Sequence, residues 1–323
     1  MNAWIWGIVL LIAIWAAHWG ADQLASPLKK LRKGWGFSGV AGGALVGIAT
    51  ASPELAINIT SAAKGVSDIG LGAMLGANLI ALPLTLTVGY IAFRTGSDQQ
   101  ASTALPIEEE TVTRHVLPYL AILGLVALLT LPPAWRGLQP IDGWILLGAY
   151  LAYLAQVLLR GRSESQSQQW KKKEWLLAAA GLCVLAIGAY FTVRSTQQIV
   201  SALGISKLVG GIFITGTMSA LPEVFSTWSV MRSRQHTAAV TVVLGDLVAT
   251  MTIAFIPLAI VSTALQEVQL FWVSLAALAA MAAAFGALIG TKQPRLRSWK
   301  VGIIVALYLA YIAVTLIWVL NAV

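Results

Sequence analysis

Two glutamates carry the chemistry this sequence offers. Glu54 follows Pro53 in ATASPELAINITS (Ala49 to Ser61), and Glu223 follows Pro222 in GTMSALPEVFSTWS (Gly216 to Ser229), 169 residues later. Both stretches lie inside long apolar runs. A carboxylate at membrane depth costs about 3 kcal/mol or more, so such a residue marks a functional site by default. The adjacent prolines interrupt the helix and free backbone carbonyls, which suits a chain lining a cavity. Two such sites in corresponding halves of one chain point to a transporter binding site. A bland reading stands beside this one: each glutamate could cap a helix start behind its proline.

The chemistry of such a pair is cation binding. Calcium takes six to eight oxygens from carboxylates, carbonyls, hydroxyls and water. Two facing glutamates balance one divalent ion, and Thr50, Ser52, Thr217 and Ser219 sit within a turn of the prolines and can add hydroxyls. The same carboxylates can instead hold monovalent ions or protons. Alternative occupancy of one site is the physical core of antiport. Asp246 reads as a third ligand, a proton carrier or a residue facing a watery cavity. Asn78 reads as a ligand or as a hydrogen-bonded bridge between helices.

The elements that must position these residues are membrane spans. The chain has 323 residues, 58% hydrophobic and 11% charged, against roughly 25% charged in soluble domains. About ten apolar stretches reach spanning length: 3–24, 36–63, 68–93, 115–132, 141–160, 174–200, 205–231, 237–263, 268–290 and 299–321. The amino-terminal run lacks the basic region and cleavage site of a signal peptide and reads as a retained span. Of 21 lysines and arginines, only Lys64, Arg136, Arg194 and Lys207 fall in the loops after even-numbered spans. That asymmetry predicts both termini outside and the central loop in the cytoplasm, in a plasma or inner membrane. It also assigns the net charge of +8 to topology rather than to a nucleic-acid partner. The partners expected are metal cations and the lipid bilayer, and the oligomeric state is left open.

The polar linker 161–173 divides the chain into a first five-helix repeat, 1–160, and a second, 174–323. An odd number of spans makes the two halves inverted relative to each other. The expected fold is an all-α membrane protein of two inverted five-helix repeats, with broken helices at the midplane. GFSGVAGGALVGIATASPEL from Gly36 aligns with GISKLVGGIFITGTMSALPEV from Gly204 with one extra residue in the second copy. GAMLGANLIALPLT from Gly72 aligns with TVVLGDLVATMTIAFIPL from Thr241, pairing Gly76 with Gly245, and Pro83 and Pro257 follow further on. Gly42–Gly43 and Gly210–Gly211 read as close helix packing. Trp4, Trp19, Trp35, Trp135, Trp170, Trp299 and Trp318 read as interfacial anchors. Asp68 and Asp142 read as helix N-caps. His115 and His236 read as surface residues at span ends, and His18 as facing lipid or a cavity. Cys183 is the single cysteine and cannot form an intramolecular disulfide. No zinc-protease, paired-cysteine or phosphate-loop motif gives an enzyme or a cofactor a foothold.

The paired motifs resemble the alpha repeats of the cation/calcium exchanger superfamily, which run G-T-S-x-P-E-L and then D-I-A-I-G-N-x-x-G-S-N. The first copy here reads ATASPEL, then SDIGLGAMLGAN; the second reads MSALPEV, then TVVLGDL. The resemblance implies an antiporter exchanging calcium, or a related cation, against sodium by alternating access, with spans one and six sliding across the site. A proton-coupled exchanger is the alternative, and an intramembrane enzyme or a non-transporting member stands further off. The departures fall on neutral oxygen ligands: Ala51 and Ala220 replace serines, and Ala73, Val242 and Leu247 replace asparagines.

Overall fold

The computed structural model describes residues 3–34, 47–95, 104–107, 111–160, 172–233, 236–290 and 295–320. They form α1 (Ala3–Gly34), α2 (Ser52–Ala63), α3 (Ser67–Arg94), α4 (Leu117–Thr130), α5 (Pro140–Arg160), α6 (Lys172–Leu203), α7 (Thr217–Arg232), α8 (His236–Thr250), α9 (Ile256–Ile260), α10 (Val268–Ile289) and α11 (Ser298–Val314). Strands β1 (Leu105–Pro106) and β2 (Arg295–Leu296) pair antiparallel. The protein is an all-α integral membrane protein. Nine helical stretches among the described residues are long and apolar enough to span a bilayer. The remaining expected span, 36–63, begins outside the described residues, as do Gly42–Gly43, Trp35 and Trp170.

Burial separates the helices into two kinds. The spans of α3 and of α8–α9 are 89% and 83% buried, whereas those of α1, α4, α5, α6 and α11 are a third buried or less. The buried spans form the centre, and the others present leucine, isoleucine and tryptophan outward, which is the arrangement lipid requires. Trp4 and Trp318 are strongly exposed at opposite ends of the chain, as interfacial anchors should be.

Small residues let the central backbones touch. A Cβ on Gly211 would sit 2.7 Å from the Gly72 Cα, and one on Gly216 would sit 2.6 Å from the Gly76 Cα. So α3 packs directly on Gly211–Gly216 with no side chain between them, the close approach that small residues permit in membranes. Those six residues turn as a π-helix. A π-turn is how a helix absorbs one extra residue, and this one lies within the stretch where the second copy is one residue longer. The longest contact joins α1 to α6 along most of their length. A Cβ on Gly188 would meet the Ala13 carbonyl at 2.7 Å, and one on Gly20 the Leu185 nitrogen at 2.7 Å. Lys30 and Glu174 close this pair with an ion pair of 2.5 Å.

The prolines act unequally. At Pro53 the helix is interrupted only by a turn at Ala51, whose backbone stays helical. Pro222 lies inside an unbroken α7 and Pro83 inside an unbroken α3. Proline removes one intrahelical bond, and in apolar surroundings neighbouring helices keep the rest intact. The clear break is after α8, where Thr252 leaves helical geometry (φ −127°, ψ −80°) ahead of Pro257.

Three smaller expectations are corrected. His115 is fully buried, its Nδ1 2.8 Å from the Tyr153 hydroxyl. Asp142 is not the N-cap of α5 but lies in its first turn, where it accepts the Gln139 backbone N–H at 2.7 Å. Asp68 likewise sits in the first turn of α3, behind Val66 at the cap position. His18 is half-buried and bonds through Nδ1 to the Ile14 carbonyl at 2.9 Å. The side chain of His236 lies outside those described.

Candidate cation site

The site is assembled where α2, α3, α7 and α8 meet. Glu54 lies in the first turn of α2, 2% exposed, and neither carboxylate oxygen has a hydrogen-bond partner among the described residues. At Glu54 the capping reading therefore has no hydrogen bond behind it among the described residues. Asp246 lies on α8, 7% exposed, with Oδ1 also unpartnered among the described residues. Glu223 is partly buried on α7. Each of the three carboxylates is within electrostatic reach of at least one other: Glu54 of Asp246, and Glu223 of both. Repeat-related acids thus lie within electrostatic reach of each other, and Asp246 within reach of both.

Hydroxyls stand around the acids. Ser52 Oγ donates to the Ala49 carbonyl at 2.7 Å and Thr50 Oγ1 lies 3.1 Å from the Gly47 carbonyl. Thr50 is also within hydrogen-bonding reach of Asp246. A hydroxyl that donates to a carbonyl keeps its lone pairs, so these two can still offer oxygen to a cation. Ser219 is buried without a partner among the described residues. It precedes Glu223 by four positions and so shares its helix face. Thr217 is partly buried one turn-half earlier. Gly47 approaches α8 closely, since a Cβ there would lie 2.8 Å from the Gly245 carbonyl carbon. Among the described residues no three acidic, histidine or cysteine side chains close on one metal position. Neutral oxygens must therefore supply much of any coordination shell here.

Asn78 takes the bridging role. Its Nδ2 donates to the Met74 carbonyl at 2.8 Å and its Oδ1 accepts from Thr250 Oγ1 at 3.0 Å. Two residues went unnoticed in the sequence although their spacing could have found them. Thr250 follows Asp246 by four positions, and Asn58 follows Glu54 by four, so each repeats its acid's helix face. Asn58 is fully buried and donates to the Ala254 carbonyl at 2.6 Å, tying α2 to the break after α8.

The family model for sodium/calcium exchanger protein matches residues 4–159 and 173–317. The chain belongs to the sodium/calcium exchanger protein family. Its two matched segments correspond to two repeats of that family. A proposed antiporter of Alkalimonas amylolytica, CaxA, is 25% identical over 236 residues, 67% of this chain and 66% of the relative, so the match spans just under two thirds of that protein. An uncharacterized membrane protein of Methanocaldococcus jannaschii, MJ0091, is 22% identical over 223 residues, covering 67% of each chain. Among solved structures, the sodium-calcium exchanger NCX_Mj soaked with 10 mM Na+ and 10 mM Sr2+ superposes with a TM-score of 0.68 at 20% identity, over 96% of this chain and 98% of that one. The same exchanger in 10 mM Na+ and zero Ca2+ gives 0.66 at 21% identity, with the same coverage. At this identity the likeness establishes the fold.

Proposed function

We propose that the protein is a cation antiporter that exchanges calcium, or a related divalent cation, against sodium by alternating access. The observation that supports this reading is that Glu54 and Glu223, from equivalent places in the two repeats, lie within electrostatic reach of each other, with Glu54 buried and unpartnered among the described residues. Two carboxylates neutralise one divalent ion, and a shell of oxygens replaces its water. Thr50, Ser52, Thr217 and Ser219 supply hydroxyls to that shell. Asp246 adds a third charge at its edge, which favours net binding of more than one monovalent ion when the divalent ion leaves. Family membership and the exchanger fold support the transport reading. The distribution of basic residues supports both termini outside and the central loop in the cytoplasm.

Alternating access in this reading is carried by α1 and α6. They form one extended pair on the outside of the central helices, and their surfaces are mostly exposed. Sliding this pair would uncover the acids from one side or the other while the backbone contact of α3 with Gly211–Gly216 holds the site fixed.

The test is calcium flux into proteoliposomes of the purified protein. An outward sodium gradient is expected to drive calcium uptake, and Glu54→Gln and Glu223→Gln are each expected to abolish it. Wild-type flux in both variants would end the assignment. A second reading, proton coupling, is favoured by Asp246 together with the neutral ligands lost at Ala73, Val242 and Leu247. Uptake that follows an imposed pH gradient and ignores the sodium gradient would select it.

A further inference from the structure

Two cations gather where α1, α2 and α6 meet, at the end of the α1–α6 pair away from Lys30 and Glu174. Lys64 closes α2 at its C-cap and sets its ammonium 3.6 Å from the centre of the Tyr190 ring on α6. Arg194 on α6 holds its guanidinium 5.8 Å from the centre of the Trp6 ring on α1. Tyr190 and Arg194 are four positions apart and share a helix face. A helical side chain leans back over the preceding turn, which carries Arg194 toward Tyr190. One tyrosine is thus approached by two cations from two helices.

Their charge is unbalanced. Among the described residues neither Lys64 nor Arg194 pairs with a carboxylate. An aromatic face attracts a cation through its quadrupole and brings no negative charge of its own. The two are among only four basic residues, of 21, that the charge asymmetry sets apart from the rest. Tyr190 and Arg194 are both exposed, so a ligand can reach them from outside the fold. Bare apolar surface adjoins them. Phe191 is exposed with its ring edge-on to Tyr190 at 5.4 Å. Ile187, one turn toward the middle of α6, and Ile59, one turn and more before Lys64 on α2, are also exposed. The patch is therefore amphiphilic, with charge at one level and hydrocarbon beneath it.

We infer that Lys64, Arg194 and Tyr190 bind the phosphate of an anionic phospholipid, whose acyl chains run along Ile187, Phe191 and Ile59. The planar guanidinium suits two phosphate oxygens at once, the ammonium supplies a compact charge, and the phenol hydroxyl is a third donor. A phosphodiester with an uncharged headgroup brings the negative charge this patch lacks. A zwitterionic headgroup adds a cation that Lys64 and Arg194 repel. Lys64 belongs to α2 and Arg194 to α6, so one headgroup spans the seam between a central helix and the outer pair. The inference does not rest on the transport reading.

The test is photo-crosslinking of the full-length protein in an uncharged detergent. The probes are phosphatidylglycerol and phosphatidylcholine, carrying the same photoreactive acyl chain, and the labelled positions are mapped by mass spectrometry. Phosphatidylglycerol is expected to label the segments 187–194 and 59–64, and phosphatidylcholine to label them far less. The concentration needed for half-maximal labelling there is expected to rise about fivefold for each cation removed, in Lys64→Gln and in Arg194→Gln. Tyr190→Phe keeps the ring under Lys64 and loses the donor, and is expected to fall between wild type and Arg194→Gln. Lys172→Gln/Lys173→Gln, at the opposite end of α6, is expected to leave this labelling unchanged. Arg194 is exposed, so its variant tests the site even where Lys64→Gln fails to fold. Equal labelling by the two lipids, or labelling by phosphatidylglycerol that is indifferent to Arg194→Gln, overturns the inference. Loss of labelling on adding inorganic phosphate at a concentration equal to that of the lipid would make free phosphate the ligand and overturn the lipid assignment.

Discussion

Asn78 on α3 and Thr250 on α8 are joined by a hydrogen bond of 3.0 Å that crosses from one repeat to the other beside the acids. Both side chains are buried, and Thr250 also reaches the Asp246 carbonyl at 3.0 Å. The contact fixes the height of α8 against α3, and therefore where the Asp246 carboxylate stands relative to the glutamates. Replacing the hydroxyl by a methyl leaves the Asn78 oxygen buried without its donor. Thr250→Val is expected to destabilise the protein by about 1–2 kcal/mol, read as a lowered Tm in detergent. An unchanged Tm would show that the bond contributes nothing to the packing of the repeats.

Ser219 is the sharpest test of the hydroxyl shell. It is buried and unpartnered among the described residues, so the fold makes no visible use of its oxygen. Ser219→Ala should leave the Tm within error of the wild type and raise the half-saturating calcium concentration by roughly threefold to tenfold, the cost of one oxygen ligand. Equilibrium binding of radioactive calcium measures it directly. Loss of stability with unchanged calcium binding would make Ser219 a packing residue.

The contact of α3 with the π-helical turn leaves room only for hydrogen. At Gly76 an added Cβ would run into the Ile212 backbone, which no side-chain rotation relieves. Gly76→Leu is expected to prevent accumulation of folded protein, and Gly76→Ala to cost about 1–3 kcal/mol by overpacking. Size-exclusion profiles and Tm separate the two. Wild-type behaviour of the leucine variant would refute the close approach.

His115 and Tyr153 form a buried pair rather than a surface fringe. Tyr153→Phe removes the hydroxyl from the imidazole and is expected to lower stability by about 1 kcal/mol. An unchanged Tm in detergent would show that the pair contributes nothing to stability.

Charge and hydropathy made the spans and the two glutamates legible, because a carboxylate in an apolar run has few uses. The repeat alignment located the extra residue of the second copy but not its form, since a wide helical turn has no composition of its own. The continuity of α7 through Pro222 could not be read: whether proline breaks a helix depends on the neighbours that hold its ends. His115 was misplaced for a related reason, since a residue near a predicted span end can be covered by another helix.

The unequal sealing of the acids sets an order of events. Glu54 and Asp246 are shut in, while Glu223 keeps part of its surface open. A small carboxyl-reactive reagent applied to the purified protein should therefore modify Glu223 first, and mass spectrometry of the digested protein would register that sequence. In the proposed cycle the same asymmetry would make Glu223 the first acid met by an ion arriving from the side that this conformation leaves open, a doorkeeper ahead of two interior berths.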